Sequence, residues 1–165
     1  MRILDPLWAG LATAAFALLF NLRGKDLPLA AVGGALGWTV AAPLQAVTGS
    51  QAVAYCAASV VIGIWAEIIS AIQKRPAAVY IACEIIPLVP GSGMYYTMLE
   101  YVRGNSSSSL ATAFATLQAA GAIAMGLALS GAVSRLLSLR SLTRRIHSPS
   151  KRLSVKKKAS TDRGE

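Results

Sequence analysis

Histidine is nearly missing from this chain. Its 165 residues hold one, His147, and two cysteines, Cys56 and Cys83. A single histidine, placed beyond the last apolar stretch, leaves no His cluster for a metal. It also leaves no Ser/His pair for nucleophilic catalysis inside the apolar region, although Gly91-Ser92-Gly93 invites that thought. The cysteines lie in separate apolar segments without metal-ligand spacing and read as buried thiols, not as ligands or a disulfide. There is no phosphate-binding loop of the G-x-x-x-x-G-K-[ST] type. The chain therefore reads as no enzyme, with no catalytic residue, no metal and no cofactor. Any energy coupling would have to come from a gradient or a partner chain.

Charge is also scarce, and its placement is telling. Charged residues are 14% of the chain. No Lys or Arg lies between Lys25 and Lys74, and between Arg75 and Arg135 the only one is Arg103. A soluble domain would spread its charges; gaps of this length fit membrane spans. The net charge of +9 could suggest nucleic acid, but ten of the sixteen basic residues lie from Arg135 onward. That is a membrane-surface pattern, suited to anionic lipid headgroups more than to nucleic acid. A signal peptide fits poorly. The run Leu7–Leu22 is long for one, and Asn21-Leu-Arg-Gly-Lys resembles a span end more than a cleavage site.

What is present is apolar, 55% of all residues. The pattern predicts an all-α polytopic membrane domain over residues 1–134 and a basic tail over 135–165. Five spans are expected: Ile3–Leu22, Leu27–Val47, Gln51–Ile72, Ala77–Val102 and Leu110–Val133. The second carries Gly33 and Gly37, four apart on one helix face, which allows close helix approach. Pro43 is expected to kink its far end. The fifth has small-residue ridges such as Ala120/Ala124 and Gly126/Ser130. Gly104-Asn-Ser-Ser-Ser-Ser reads as a flexible polar loop. In the tail, Ser134–His147 could continue as an amphipathic surface helix, with disorder expected beyond Ser148.

The fourth span holds the most informative stretch, Glu84-Ile-Ile-Pro-Leu-Val-Pro-Gly-Ser-Gly93. As one helix, 77–102 would run roughly 39 Å. Pro87 and Pro90 each remove a donor and clash with the preceding turn, so the middle cannot be regular helix. Gly91 and Gly93 favour a bend, and Ser92 is a candidate N-cap for a helix restarting at Met94. Two half-helices at membrane depth are expected. Exposed backbone there is tolerated only where protein buries it or a wet cavity borders it. A restarted helix offers free N–H groups and a positive dipole end, suited to a carboxylate. The plain alternative is a proline kink that serves packing.

Two acids lie at membrane depth, where a carboxylate is expensive unless paired or wetted. Glu67 either pairs with Lys74 or Arg75 near the interface or serves as a proton or substrate site. Glu84 either serves a functional path or only bonds a carbonyl freed beside the break. Both can titrate if burial raises their pKa, which makes protons the natural coupling ion. Tyr95 and Tyr96 follow the break; their rings either line a cavity or pack. Topology follows from charge. Arg23, Lys25, Lys74, Arg75 and the ten tail residues share one face, against Arg2 and Arg103 on the other. The bias predicts an N-terminus outside and a cytoplasmic C-terminus.

At Pro87-Leu-Val-Pro-Gly-Ser-Gly-Met-Tyr-Tyr96 the chain resembles the threonine/serine exporter family, in particular its separate small membrane subunit. That subunit resembles the C-terminal half of the fused exporters. Phe20-Asn21 before a basic turn, Gly33–Gly37, the Glu67 segment leading to Arg75-Pro76 and the Ala/Gly-rich last span fit in order. The long basic tail is not part of the pattern. The resemblance implies an inner-membrane secondary exporter of small carboxylate-bearing metabolites, threonine and serine or a dicarboxylate such as succinate. It also implies a larger membrane subunit as partner. It carries over Glu67, Pro87, Pro90, Gly91, Ser92 and Gly93 as motif positions; Glu84 and Tyr96 are added from the residues themselves. The rival reading is a non-transporting scaffold whose basic tail binds lipid. Homo-oligomerisation stays open.

Overall fold

The computed structural model describes the backbone of residues 4–146 and the surroundings of side chains 4–136. All regular structure described is helical: α1 (Asp5–Leu19), α2 (Asp26–Thr48), α3 (Gln51–Gln73), α4 (Ala77–Glu84), a 3-10 turn (Ile86–Leu88), α5 (Gly91–Val102) and α6 (Ser106–Ile146). The chain divides into two compact units, Met1–Ala132 and Val133–Glu165. The second is helical through Ile146. The expected disorder beyond Ser148 and the apolar face expected on 134–147 lie outside the described residues.

Among the described residues, three helices are long and apolar enough to cross a membrane: α2, α3 and the Ser106–Leu136 part of α6. The pair Ala77–Leu88 and Gly91–Val102, bent by 52°, makes a fourth if it is one span. The expected first span is shorter than its apolar run. Fifteen helical residues reach about 22 Å, less than a ~30 Å hydrocarbon core. The reason is local. Asn21 takes a left-handed φ of 59°, and its N–H and that of Leu22 bond back to Leu18 and Ala17 at 3.0 and 2.9 Å. That double closure ends the helix and buries Leu22.

The serine run is not a loop. α5 ends in the same double closure at Gly104 (φ 81°), with Gly104 N–H on Tyr101 and Asn105 N–H on Glu100. The Asn105 amide also donates to the Glu100 carboxylate at 2.8 Å. The chain is thereby turned within two residues, and α6 starts at Ser106. Ser109 Oγ then donates to the Thr97 carbonyl at 2.8 Å, tying α6 to α5.

Small residues set the helix contacts. Gly34 abuts Thr13 of α1, and Gly37 abuts Ile62 of α3 and Leu88. Gly63 of α3 abuts Ser130 of α6, and Gly126 abuts the Cys56 carbonyl and Ser59. Two apolar clusters result. One joins Ala41, Tyr55, Ala58, Ile62, Leu88 and Ile123; the other joins Ala17, Leu22, Ala30, Ile69, Tyr80 and Cys83.

Candidate functional site

The fourth segment breaks where its prolines demand. α4 stops at Glu84, and the 3-10 turn contains Pro87. Val89 is extended, and Pro90 sits at φ −77°, ψ 57°. The Gly91 N–H closes on the Val89 carbonyl at 2.7 Å, which makes Pro90 the centre of an inverse γ-turn. α5 therefore starts at Gly91, three residues before the expected restart. Ser92 lies in the first turn of that helix, and Pro90 takes the cap position with no side-chain bond. Met94 N–H bonds to the Pro90 carbonyl at 3.2 Å. The N–H groups of Ser92 and Gly93, in that same first turn, have no intrahelical acceptor.

α4 turns Tyr80, Cys83 and Glu84 onto one wholly buried face. Glu84 is 0% exposed, and neither carboxyl oxygen has a protein hydrogen-bond partner. Its carboxyl group lies against Gly33 of α2. The freed carbonyl bond considered for Glu84 is thus not made. A buried, unpaired ionisable group in a span is expensive to keep. Trp38 Nε1 is a further buried donor without a partner.

One turn toward the α3–α4 connection lies a polar cluster that sequence reasoning missed. Tyr80 Oη donates to Asp26 Oδ1 at 2.8 Å, and Arg75 Nε bonds to Asp26 Oδ2 at 3.0 Å. Arg75 is held there by its own backbone. Lys74 is left-handed (φ 56°), and Ser70 Oγ donates to the Arg75 carbonyl at 2.6 Å. Arg75 is therefore engaged with Asp26 and not with Glu67, which is half-buried on α3. The 4-residue spacing of Tyr80 and Glu84 places both on one face of α4, but nothing in the sequence pairs Tyr80 with Asp26.

The expected residues fall on two sides of the break. Glu84 faces α2, whereas Gly93 packs against Thr116 of α6. Pro87 and Pro90 are half-buried, and Gly91 and Ser92 are exposed. Tyr96 is 54% exposed and meets Tyr95 edge-on, with ring centroids 5.4 Å apart. A hollow of about 430 Å³ lies between α5 and α6, lined by Met94, Thr97, Met98, Tyr101, Ser109 and Thr116 among others. Tyr96 is not in its lining. Among the described residues no group of three or more His, Cys, Asp or Glu could hold a metal.

Over residues 5–133, well over half its length, the chain matches the family described as "Threonine/Serine exporter, ThrE". The chain belongs to the threonine/serine exporter family. No curated protein and no solved structure matches it significantly. Family membership and the apolar helices mark a membrane protein and point to exporter-type transport, not to an enzyme. The exporter match takes in the break, Glu84 and the Asp26 cluster, and stops before the basic tail.

Proposed function

We propose that this chain is one membrane subunit of a secondary exporter for small carboxylate-bearing metabolites, threonine and serine or a dicarboxylate such as succinate. It works with a larger membrane subunit in the inner (cytoplasmic) membrane, N-terminus outside and C-terminus in the cytoplasm. The observation that carries this reading is Glu84, wholly buried and unpartnered where a membrane helix breaks.

The chemistry divides between the two half-helices. Glu84, at the end of α4, takes a proton or the substrate's ammonium group. The Ser92 and Gly93 N–H groups and the Ser92 hydroxyl, at the start of α5, take a carboxylate. Glu67, half-buried on α3, is a second proton-exchange candidate. Tyr96 borders the path from its exposed side. The larger subunit is supported by the same break. Gly91 and Ser92 are exposed on this chain, and bare backbone at membrane depth cannot face lipid. A second protein surface or a wetted path must cover it. Anionic headgroups are the partner suited to the basic tail.

Efflux from proteoliposomes loaded with threonine, serine or succinate, with and without the larger subunit, tests the reading. Glu84→Gln and Pro90→Ala should each abolish most efflux. Normal efflux in both would discard the site, and a loss caused by tail deletion alone would favour the scaffold reading.

A further inference from the structure

Glu84 is sealed from the surface, and the seal has an identifiable outer end. Asp26 is 6% exposed and opens α2. It receives Tyr80 from α4 and Arg75 from the α3–α4 connection. Arg75 is the member that reaches solvent, with its side chain 48% exposed. Tyr80 and Glu84 are one turn apart on the same buried face of α4. On α2, Asp26 and Gly33 meet that face in the same order, Asp26 at Tyr80 and Gly33 at Glu84. The polar contact and the buried acid thus lie along one seam between α2 and α4. The Asp26 contacts supply hydrogen bonds to that seam, and the Glu84 carboxyl group, without a partner, supplies none.

We propose that Asp26, Tyr80 and Arg75 form a latch that holds α4 against α2 and so keeps Glu84 shut off from the face bearing Lys74 and Arg75. These are positioning residues. They act on Glu84 by closing the seam it sits in. Release of Arg75 and Tyr80 from Asp26 lets the start of α4 swing from α2 and opens the Glu84 compartment to that face. The proposal rests on Glu84 as the transport site for its meaning, but not for its test.

Cys83 supplies the reporter. It neighbours Glu84 and is 0% exposed, whereas Cys56 lies half-buried on α3 in the other apolar cluster's neighbourhood. Alkylation of each thiol by N-ethylmaleimide, read by mass spectrometry on the full chain in liposomes, follows how often each site opens. Tyr80→Phe and Arg75→Ala should each speed Cys83 alkylation about tenfold, the effect of losing one hydrogen bond to a charged group. Cys56 should keep its rate, and Arg75→Lys should restore slow labelling. Unchanged Cys83 labelling in both variants overturns the latch. So does a matched rise at Cys56, which would report general loosening. Asp26→Asn offers a third variant should either of the first two fail to fold. Normal efflux in Glu84→Gln would remove the transport reading and leave the labelling result standing.

Discussion

The carboxyl group of Glu84 occupies the space that a β-carbon at Gly33 would need. This closeness makes the acid a fixture of the α2–α4 seam, although nothing in the protein bonds to it. A buried polar group without partners lowers stability by about 1–3 kcal/mol. Its replacement by an apolar side chain of similar length should return that amount. Glu84→Met is therefore expected to raise the thermal midpoint in detergent while efflux is lost. A variant both less stable and fully active would show that the acid is structural.

Gly33→Ala is expected to act through Glu84. The added methyl overlaps the carboxyl group, and overpacking of this kind costs about 1–3 kcal/mol. Shortening the acid by one methylene should relieve it. The double variant Gly33→Ala/Glu84→Asp should then lose less stability than the two single losses added together. Strict additivity in thermal unfolding would mean the two sites do not press on each other.

The break was legible because proline's effect is local: Pro87 and Pro90 lack a donor wherever they sit. The Gly33/Gly37 ridge was legible from spacing, and Gly33 does meet α4. The Asp26 cluster was not. Tyr80 and Asp26 are 54 positions apart, and no periodicity carries that information. The end of α1 was misjudged for a related reason. Apolar runs describe burial, while the left-handed Asn21 stops α1 at Leu19, short of the expected Leu22. The fourth segment ends at Val102 as expected, just before the left-handed Gly104. The four-serine run looked like a loop because serine competes for backbone bonds. Here the closure at Gly104 and the Asn105–Glu100 bond start the next helix immediately. Ser92 likewise lost the cap position to a turn centred on Pro90.

The bend itself can be tested apart from transport. Pro87→Ala/Pro90→Ala restores two backbone donors, and a helix interior favours alanine over proline by about 3 kcal/mol per site. The two halves should draw toward one rod and lessen the 52° bend. Spin labels at positions 78 and 102 should move apart, and efflux should fall with the straightening. Unchanged label separation would mean that packing against α2 and α6, not proline, holds the break.

Two glycines of α6 should respond oppositely to the same change. A β-carbon at Gly126 would strike the Cys56 carbonyl and come within 2.8 Å of the Ser59 side chain. Backbone cannot yield as a side-chain tip can, so Gly126→Ala should separate α3 from α6 and cost about 1–3 kcal/mol. Gly121 has nothing within 4 Å of such an atom. Gly121→Ala should gain helix propensity instead, up to about 1 kcal/mol. Thermal unfolding of the two variants side by side reads the difference. If Gly126→Ala loses no stability, the α3–α6 contact is not set by Gly126; if Gly121→Ala loses stability, a surface outside the described residues covers Gly121.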